Sequence, residues 1–179
     1  ILWNSYTFLD TYLDKSAKLT LIDEKEVASL PVEDQWILSR LNSTTRAITA
    51  HFDGFEFHAA GREAMRFITE DLSRTYIKLV RDRMNPNADA KSKLQCERVL
   101  LTCLYSVSKL LAPITPFISE YLFQQLKQFT KESKLASVHL TSYPVAGATN
   151  TELEKSMSLA LSITEAGNAC RQAANLKLR

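Results

Sequence analysis

The sequence predicts an all-α fold: a bundle of four to five helices, with one further helix appended at the carboxyl-terminal end. Apolar side chains recur every three or four residues along most of the 179-residue chain, which is the spacing of a buried helix face. Only 4 Gly and 5 Pro are present, and so few helix-breaking residues argue against a turn-rich β protein.

The first two helices lie on either side of a polar segment. Residues 14–30 are predicted to form a loop that can include a short helical turn. Glu33 and Asp34 follow Pro31, and acidic residues favour a helix amino terminus, so the second helix is predicted from there to about Ala50. The predicted inward residues are Leu2, Tyr6, Leu9 and Leu13 in the first helix and Ile37, Leu41 and Ile48 in the second.

A long third helix is predicted from about Phe57 to Asn85. The pair Asp53-Gly54 marks the turn before it, and Pro86 ends it because proline cannot continue the helical hydrogen-bond ladder. The predicted inward stripe of this helix is Ala64, Ile68, Leu72, Tyr76 and Leu79.

Two more helices complete the predicted bundle. The fourth opens at Asp89 or Ala90 and ends before Pro113, and it is apolar around so much of its surface that burial on more than one side is expected. A short fifth helix begins at Thr115-Pro116, an N-cap followed by proline in the first turn, and runs to about Phe129. The apolar residues of the fourth helix are Cys96, Val99, Leu100, Cys103, Leu104, Val107, Leu110 and Leu111.

The rest of the chain, residues 130–179, is predicted to be a linker and a last helix. Residues 130–150 are polar, with a brief extended stretch at 137–140, and a capping-box pattern at 151–154 opens a helix that runs to about Ala174. We therefore divide the chain into a bundle (1–129), a linker (130–150) and a carboxyl-terminal unit (151–179) that begins a following subdomain. The chain starts without Met inside one helical pattern and stops inside another, so we expect it to be a piece of a longer protein.

Composition narrows the class of protein. The net charge is only +2, with a pI of about 8.4, so a role in nucleic-acid binding must rest on where the cations lie. The three cysteines have no paired spacing, which argues against a disulfide framework or a zinc site and favours a reducing compartment. Neither a signal peptide nor a membrane span is visible, and we expect a cytoplasmic location.

The sequence predicts no catalytic or metal site. It lacks a Gly-rich phosphate loop and the GxSxG and HExxH motifs. His51 and His58 are separated by a turn and His139 stands alone, and such histidines are far more often surface or packing residues. Cys96 and Cys103 share a helical face, where buried thiols usually act as small hydrophobic side chains.

The end of the third helix carries the strongest candidate for a nucleic-acid contact. Arg74, Lys78 and Arg81 are spaced by four and three residues, so they are predicted to share a face, and Arg83 lies near them. Cations on one helix face can pair with successive phosphates and release counterions. The alternative is structural, because such cations also complement the helix dipole and can pair with acidic side chains one turn away.

Two weaker sets of candidates lie elsewhere. One sits where the last helix gives way to a tail, and the other lies on the second helix. Basic groups beside polar amides suit RNA, but a solvated helix surface explains the same pattern. The residues are Arg171, Lys177 and Arg179 in the first set and Arg40, Asn42 and Arg46 in the second.

Several distinctive segments follow one another along the chain: residues 2–6 (LWNSY), 34–42 (DQWILSRLN), 70–77 (EDLSRTYI), 81–83 (RDR), 110–120 (LLAPITPFISE), 137–140 (SVHL) before 143–144 (YP), and 167–174 (GNACRQAA). In this order they resemble the class I isoleucyl-tRNA synthetases in the form shared by archaea and eukaryotes. One departure is Thr75, which stands where that family usually has tryptophan, so the role of that aromatic ring does not carry over.

The resemblance implies the helical anticodon-binding domain of such an enzyme, which joins isoleucine to its tRNA using ATP and Mg²⁺. The class I signatures HIGH and KMSKS are absent, so the chain itself would hold neither a catalytic site nor a cofactor. The implied partners are the anticodon stem-loop of isoleucine tRNA and the catalytic, editing and carboxyl-terminal domains of the same polypeptide. The alternatives are the equivalent domain of a valine or other class I synthetase, and an all-α protein-interaction domain.

Overall fold

This computed structural model describes residues 1–13 and 19–176. Its secondary structure is helical, and no strand occurs among these residues. The all-α prediction is therefore confirmed. The main helices are α1 (Leu2–Tyr12), α2 (Val32–Asp53), α3 (residues 57–84), α4 (Ala90–Leu111), α5 (Pro116–Leu126) and α6 (Thr151–Ala173). The first five form the bundle and α6 is the appended helix. Shorter 3-10 helices lie at Glu24–Ser29, before α2, and at Lys127–Phe129, after α5.

One hydrophobic core joins α1 to α5. All eight apolar residues predicted for α4 are buried, so this helix is covered on more than one side, as its pattern indicated. The predicted inward residues of α2 are buried too, whereas Leu2 and Leu13 at the ends of the α1 stripe are only partly buried. Helices α2 and α3 pack together as neighbours, as do α4 and α5.

Helix α3 changes its winding along its length. An α-helical segment (Phe57–Arg66) is followed by a π-helix (Phe67–Tyr76), a short α-helical segment (Ile77–Val80) and a 3-10 turn (Arg81–Met84). The backbone keeps right-handed helical angles into Phe67, Ile77 and Arg81, so the segments form one continuous helix, as predicted.

The inward stripe of α3 differs from the prediction at its last position. Leu79 is 49% exposed, and Val80 is fully buried in its place. An α-helix has 3.6 residues per turn, so its inward positions alternate between spacings of three and four. The i→i+5 turns of a π-helix hold more residues, which keeps positions spaced by four on the same side through to Val80.

The segment between α5 and α6 contains no extended stretch at 137–140, so that prediction was wrong. Residues Val138–Leu140 form a 3-10 turn, in which the Ser137 hydroxyl accepts a hydrogen bond from the His139 N–H. Glu120 of α5 accepts hydrogen bonds from the Ser137 hydroxyl and the Val138 N–H, both at 2.9 Å. Side-chain capping of this kind competes with strand formation, and it overrides the β propensity of the apolar residues. The division of the chain at 130–150 stays a prediction.

Helix α6 ends at a defined stop. The Leu176 N–H bonds to the Arg171 carbonyl at 2.9 Å, and the Asn175 N–H bonds to the Gln172 carbonyl at 3.0 Å. Asn175 has a φ of 53°, and an asparagine in this left-handed conformation commonly closes a helix. The predicted end near Ala174 is confirmed.

Candidate nucleic-acid interface

The predicted cations at the end of α3 divide into an exposed group and an inward one. Arg74, Lys78 and Arg81 are all exposed, and we call these three residues the cationic face. Arg74 donates a hydrogen bond to Glu70 at 2.8 Å, but both side chains are more than half exposed, at 67% and 51%. Exposed ion pairs contribute little, so this contact leaves Arg74 available to a stronger anionic partner.

The backbone at the end of α3 places Arg81 at the tip of this face. Val80 has φ −96° and ψ 1°, and the helix then tightens into the 3-10 turn that begins at Arg81. Asn85 has an extended backbone and precedes Pro86, so the helix stops there. Cations in the last turn also complement the partial negative charge at the helix carboxyl terminus.

Two further exposed cations precede the cationic face on α3. Arg62 and Arg66 are both exposed, and Arg66 pairs with Glu63 at 2.9 Å. They are not among the cations that the sequence pattern predicts as RNA contacts. The pattern that could have indicated them is a series of residues four apart, in which Arg62 and Arg66 come before Glu70 and Arg74 and Lys78 come after it.

Arg83 faces the protein interior rather than the solvent. Its guanidinium Nη1 and Nη2 donate to the two carboxylate oxygens of Asp34 at 2.9 and 2.8 Å, and Asp34 is fully buried. The same guanidinium also donates to Glu33 and to the Ser92 hydroxyl, both at 2.9 Å. The Tyr76 hydroxyl completes this network by donating to Asp34 at 2.6 Å. Arg83 therefore joins α2, α3 and α4, and its predicted RNA contact has to compete with these partners.

Arg40 likewise has intramolecular partners. It donates to Asp71 of α3 at 3.1 Å and to Glu154 of α6 at 2.8 Å, and its side chain is only 18% exposed. Glu154 also accepts from Ser39 at 2.5 Å and from Ser43 at 2.8 Å. We call these five residues, Ser39, Arg40, Ser43, Asp71 and Glu154, the clasp. It fixes the first turn of α6 against α2 and α3.

The pKa values of the two carboxylates of the clasp are shifted in opposite directions, although burial acts to raise both. Burial raises the pKa of Asp71, and the neighbouring Arg40 only partly offsets this rise. Burial also acts to raise the pKa of Glu154, but hydrogen bonds from Ser39, Arg40 and Ser43 outweigh it, so the pKa ends below its ordinary value. Glu154 is thus the carboxylate that the clasp holds in its charged form.

Asn42 holds the segment that leads into α6. Its side-chain amide donates to the Ala148 carbonyl at 2.9 Å and accepts from the Gly147 N–H at 3.1 Å. Arg46, one turn further along α2, donates to the Gly147 carbonyl at 3.3 Å and to the Thr149 hydroxyl at 3.4 Å. The candidates on α2 therefore all contact the chain itself, and their contact with RNA stays a prediction.

Among the candidates at the end of the chain, the structure describes Arg171. Arg171 lies in the last turns of α6 and is exposed, together with its neighbours from residue 162 to 176. Lys177 and Arg179 lie outside the described residues. Only the first part of α6 packs on the core, through Leu153, Met157 and Leu161. The rest of the helix projects from the bundle and carries Arg171 with it.

Comparison with known families identifies the domain that carries the cationic face. The family described as "Anticodon-binding domain of tRNA ligase" matches residues 34–179. The chain belongs to this family. The match covers α2 to α6, and therefore includes both the cationic face and the clasp.

This anticodon-binding domain is similar over its whole length to isoleucine--tRNA ligases. It is 40% identical to that of Methanocella arvoryzae over 185 residues, 38% identical to that of Thermococcus kodakarensis over 183, and 35% identical to that of Dehalococcoides mccartyi over 181. The chain spans only 17% or 18% of the length of these relatives. The matching part is the anticodon-binding region, so no catalytic site is expected in the chain itself.

Two negative findings apply to the part of this anticodon-binding domain that the structure describes. No group of three His, Cys, Asp or Glu side chains there is arranged to hold a metal ion. None of the helices in residues 1–13 and 19–176 is long and apolar enough to cross a membrane.

Proposed function

We propose that this domain binds the anticodon stem-loop of isoleucine tRNA as part of an isoleucine–tRNA ligase. The observation that carries the proposal is the cationic face: three exposed cations on one helix of a domain that belongs to an anticodon-binding family. The similarity to isoleucine--tRNA ligases over the whole chain supports the choice of isoleucine over valine.

The cationic face suits a phosphate backbone. An arginine guanidinium can donate two parallel hydrogen bonds to one phosphate, and lysine acts as a compact positive charge. Contacts of this kind position the RNA, while bases in a single-stranded loop are read by other groups on their edges. We infer that Arg74, Lys78 and Arg81 hold one strand of the stem, with Arg62 and Arg66 extending the track.

The clasp and Arg83 support this function indirectly. They hold α2, α3 and α6 together, so they fix where the cationic face and Arg171 lie relative to one another. Arg171 is then a second contact on the same RNA, together with Lys177 and Arg179. In the parent ligase the chemistry would take place in another domain, with ATP and Mg²⁺, in the cytoplasm. Positioning the far end of the tRNA would bring its acceptor end to that site.

Competition between tRNAs tests this proposal. The isolated chain is titrated with isoleucine tRNA, with its anticodon stem-loop alone, and with an isoleucine tRNA whose anticodon is replaced by that of valine. We expect the stem-loop to compete with the whole tRNA, and the altered anticodon to weaken binding. A stem-loop that does not compete at low salt would contradict the proposal, and equal binding of both anticodons would contradict isoleucine specificity.

A further inference from the structure

Five exposed residues of α3 lie four apart along the chain, and one of them is acidic. Arg62 and Arg66 precede Glu70, and Arg74 and Lys78 follow it. We call these five residues the α3 row. Because a carboxylate repels phosphate, Glu70 weakens the contact that its four neighbours favour. An acid in the middle of a row of cations therefore points to an RNA group other than phosphate.

The winding of α3 keeps the row on one side of the helix. Residues four apart drift around a regular α-helix by about 40° per step. The π-helix from Phe67 to Tyr76 holds more residues per turn, which opposes this drift at Glu70 and Arg74. A second row with the same spacing faces inward along its whole length, and its members are all buried: Ala60, Ala64, Ile68, Leu72, Tyr76 and Val80. Glu70 thus shares its face with the cations on either side of it.

The ion pair between Glu70 and Arg74 does not account for an acid at this position. Arg74 donates to Oε1 of Glu70 at 2.8 Å, and the two side chains are 67% and 51% exposed, with Arg74 the more exposed. Exposed pairs of this kind add little to stability. When Arg74 turns to a phosphate, both carboxylate oxygens of Glu70 become free to accept hydrogen bonds.

The RNA group that fits Glu70 is a ribose 2′-hydroxyl. The proposed function places an RNA stem on these cations, and the major groove of such a stem is too deep and narrow for side chains to read its bases. The wide minor groove displays 2′-hydroxyls, each of which can donate to a carboxylate. Residues four apart are about 6 Å apart along the helix axis, comparable with one nucleotide of a strand. A 2′-hydroxyl can therefore meet Glu70 while neighbouring phosphates meet Arg66 and Arg74.

We propose that Glu70 accepts a hydrogen bond from a 2′-hydroxyl of the strand whose phosphates the flanking cations hold. Glu70 lowers the attraction to phosphates in general and restores affinity for a strand that carries ribose. It thereby selects RNA over DNA, which cations alone cannot do because both nucleic acids carry the same phosphates. This inference rests on the proposed function and names a specificity residue within it.

A stem-loop that lacks 2′-hydroxyl donors tests the inference. The chain is titrated with the isoleucine anticodon stem-loop and with the same stem-loop carrying 2′-fluoro groups in its stem, which keep the A-form but cannot donate. We expect wild type to bind the 2′-fluoro stem-loop roughly 5- to 15-fold more weakly, as for the loss of one hydrogen bond to a charged acceptor. Glu70→Ala should bind the two stem-loops almost equally. Glu70→Gln, which keeps an acceptor oxygen, should give an intermediate ratio of affinities.

Glu63→Ala is the matched control. Glu63 also pairs with an arginine of the α3 row, Arg66 at 2.9 Å, but it lies outside the row, so the variant should keep the wild-type ratio. A wild-type ratio in Glu70→Ala would overturn the inference even if both affinities fell, because Glu70 would then act only by holding Arg74. Equal binding of the two stem-loops by wild type would also overturn it, while leaving the proposed function intact. Binding of neither stem-loop would overturn the proposed function and this inference with it.

Discussion

The guanidinium of Arg83 bonds to both carboxylate oxygens of Asp34, at 2.9 and 2.8 Å, and Asp34 has no exposure to solvent. Arg83, which the sequence predicts as an RNA contact, is therefore the cation of an ion pair whose carboxylate is buried. We expect Arg83→Met to lower the free energy of unfolding by about 3–5 kcal/mol, because it leaves Asp34 buried without its cation. Urea denaturation measures this. Arg81→Met, two residues away and exposed, should change stability by less than about 0.5 kcal/mol. Equal losses of unfolding free energy in Arg83→Met and Arg81→Met would show that Arg83 does not stabilise the fold.

The winding of α3 can be tested with two neighbouring residues. Val80 is fully buried and Leu79 is 49% exposed, which is the reverse of what an α-helical stripe predicts. Val80→Ala should therefore cost about 2 kcal/mol in unfolding free energy, from lost burial and a residual cavity. Leu79→Ala should cost less than about 0.5 kcal/mol. A larger loss for Leu79→Ala would place Leu79 in the core and refute the π-helical register.

The clasp should control the direction of α6. Cys170 near the end of α6 is exposed while Cys96 and Cys103 are buried, so a spin label attaches selectively to Cys170. A second label goes on Lys91→Cys at the start of α4.

Glu154→Ala should broaden the distance distribution between the two labels, because it removes the partner of Ser39, Arg40 and Ser43. Glu152→Ala is the matched control, since Glu152 lies in the same helical turn but is 81% exposed. Unchanged distances in Glu154→Ala would show that the clasp does not orient α6.

The contributions of Glu154 and Asp71 to the unfolding free energy should change in opposite directions as the pH rises. The lowered pKa of Glu154 gives stability above the ordinary glutamate value of about 4.3, and this stability is lost as the pH falls through the lowered pKa. The raised pKa of Asp71 has the reverse effect, with stability lost as the pH rises through it. Unfolding free energies from pH 3 to 7 therefore should show the cost of Glu154→Gln shrinking towards low pH. Wild type should lose stability relative to Asp71→Asn as the pH rises. Parallel curves of unfolding free energy against pH for wild type, Glu154→Gln and Asp71→Asn would contradict the two pKa shifts.

Sequence patterns predicted the helices well because chain breaks and apolar spacing are local signals. Pro86 and Pro113 lie just beyond the ends of α3 and α4, and the burial of Cys96 and Cys103 follows from the stripe of α4. The same patterns could not separate Arg83 from Arg81, since the difference depends on Asp34, 49 residues away along the chain. Similarly, nothing local to Arg40 indicates Glu154 on another helix. The sequence predicts which residues are charged, whereas only the fold determines which charges are already paired.

The salt dependence of tRNA binding tests most directly whether Arg74, Lys78 and Arg81 contact phosphates. Affinity for isoleucine tRNA is measured at several salt concentrations for wild type, for the triple variant Arg74→Gln, Lys78→Gln, Arg81→Gln, and for the control Lys91→Gln, Lys131→Gln, Lys134→Gln. The control removes three exposed charges outside the cationic face. Each lost phosphate contact should reduce the slope of log affinity against log salt by about 0.7–0.9, so the cationic-face variant should lose roughly 2–3 in total while the control keeps the wild-type slope. Equal slopes in all three proteins would contradict the assignment of the cationic face.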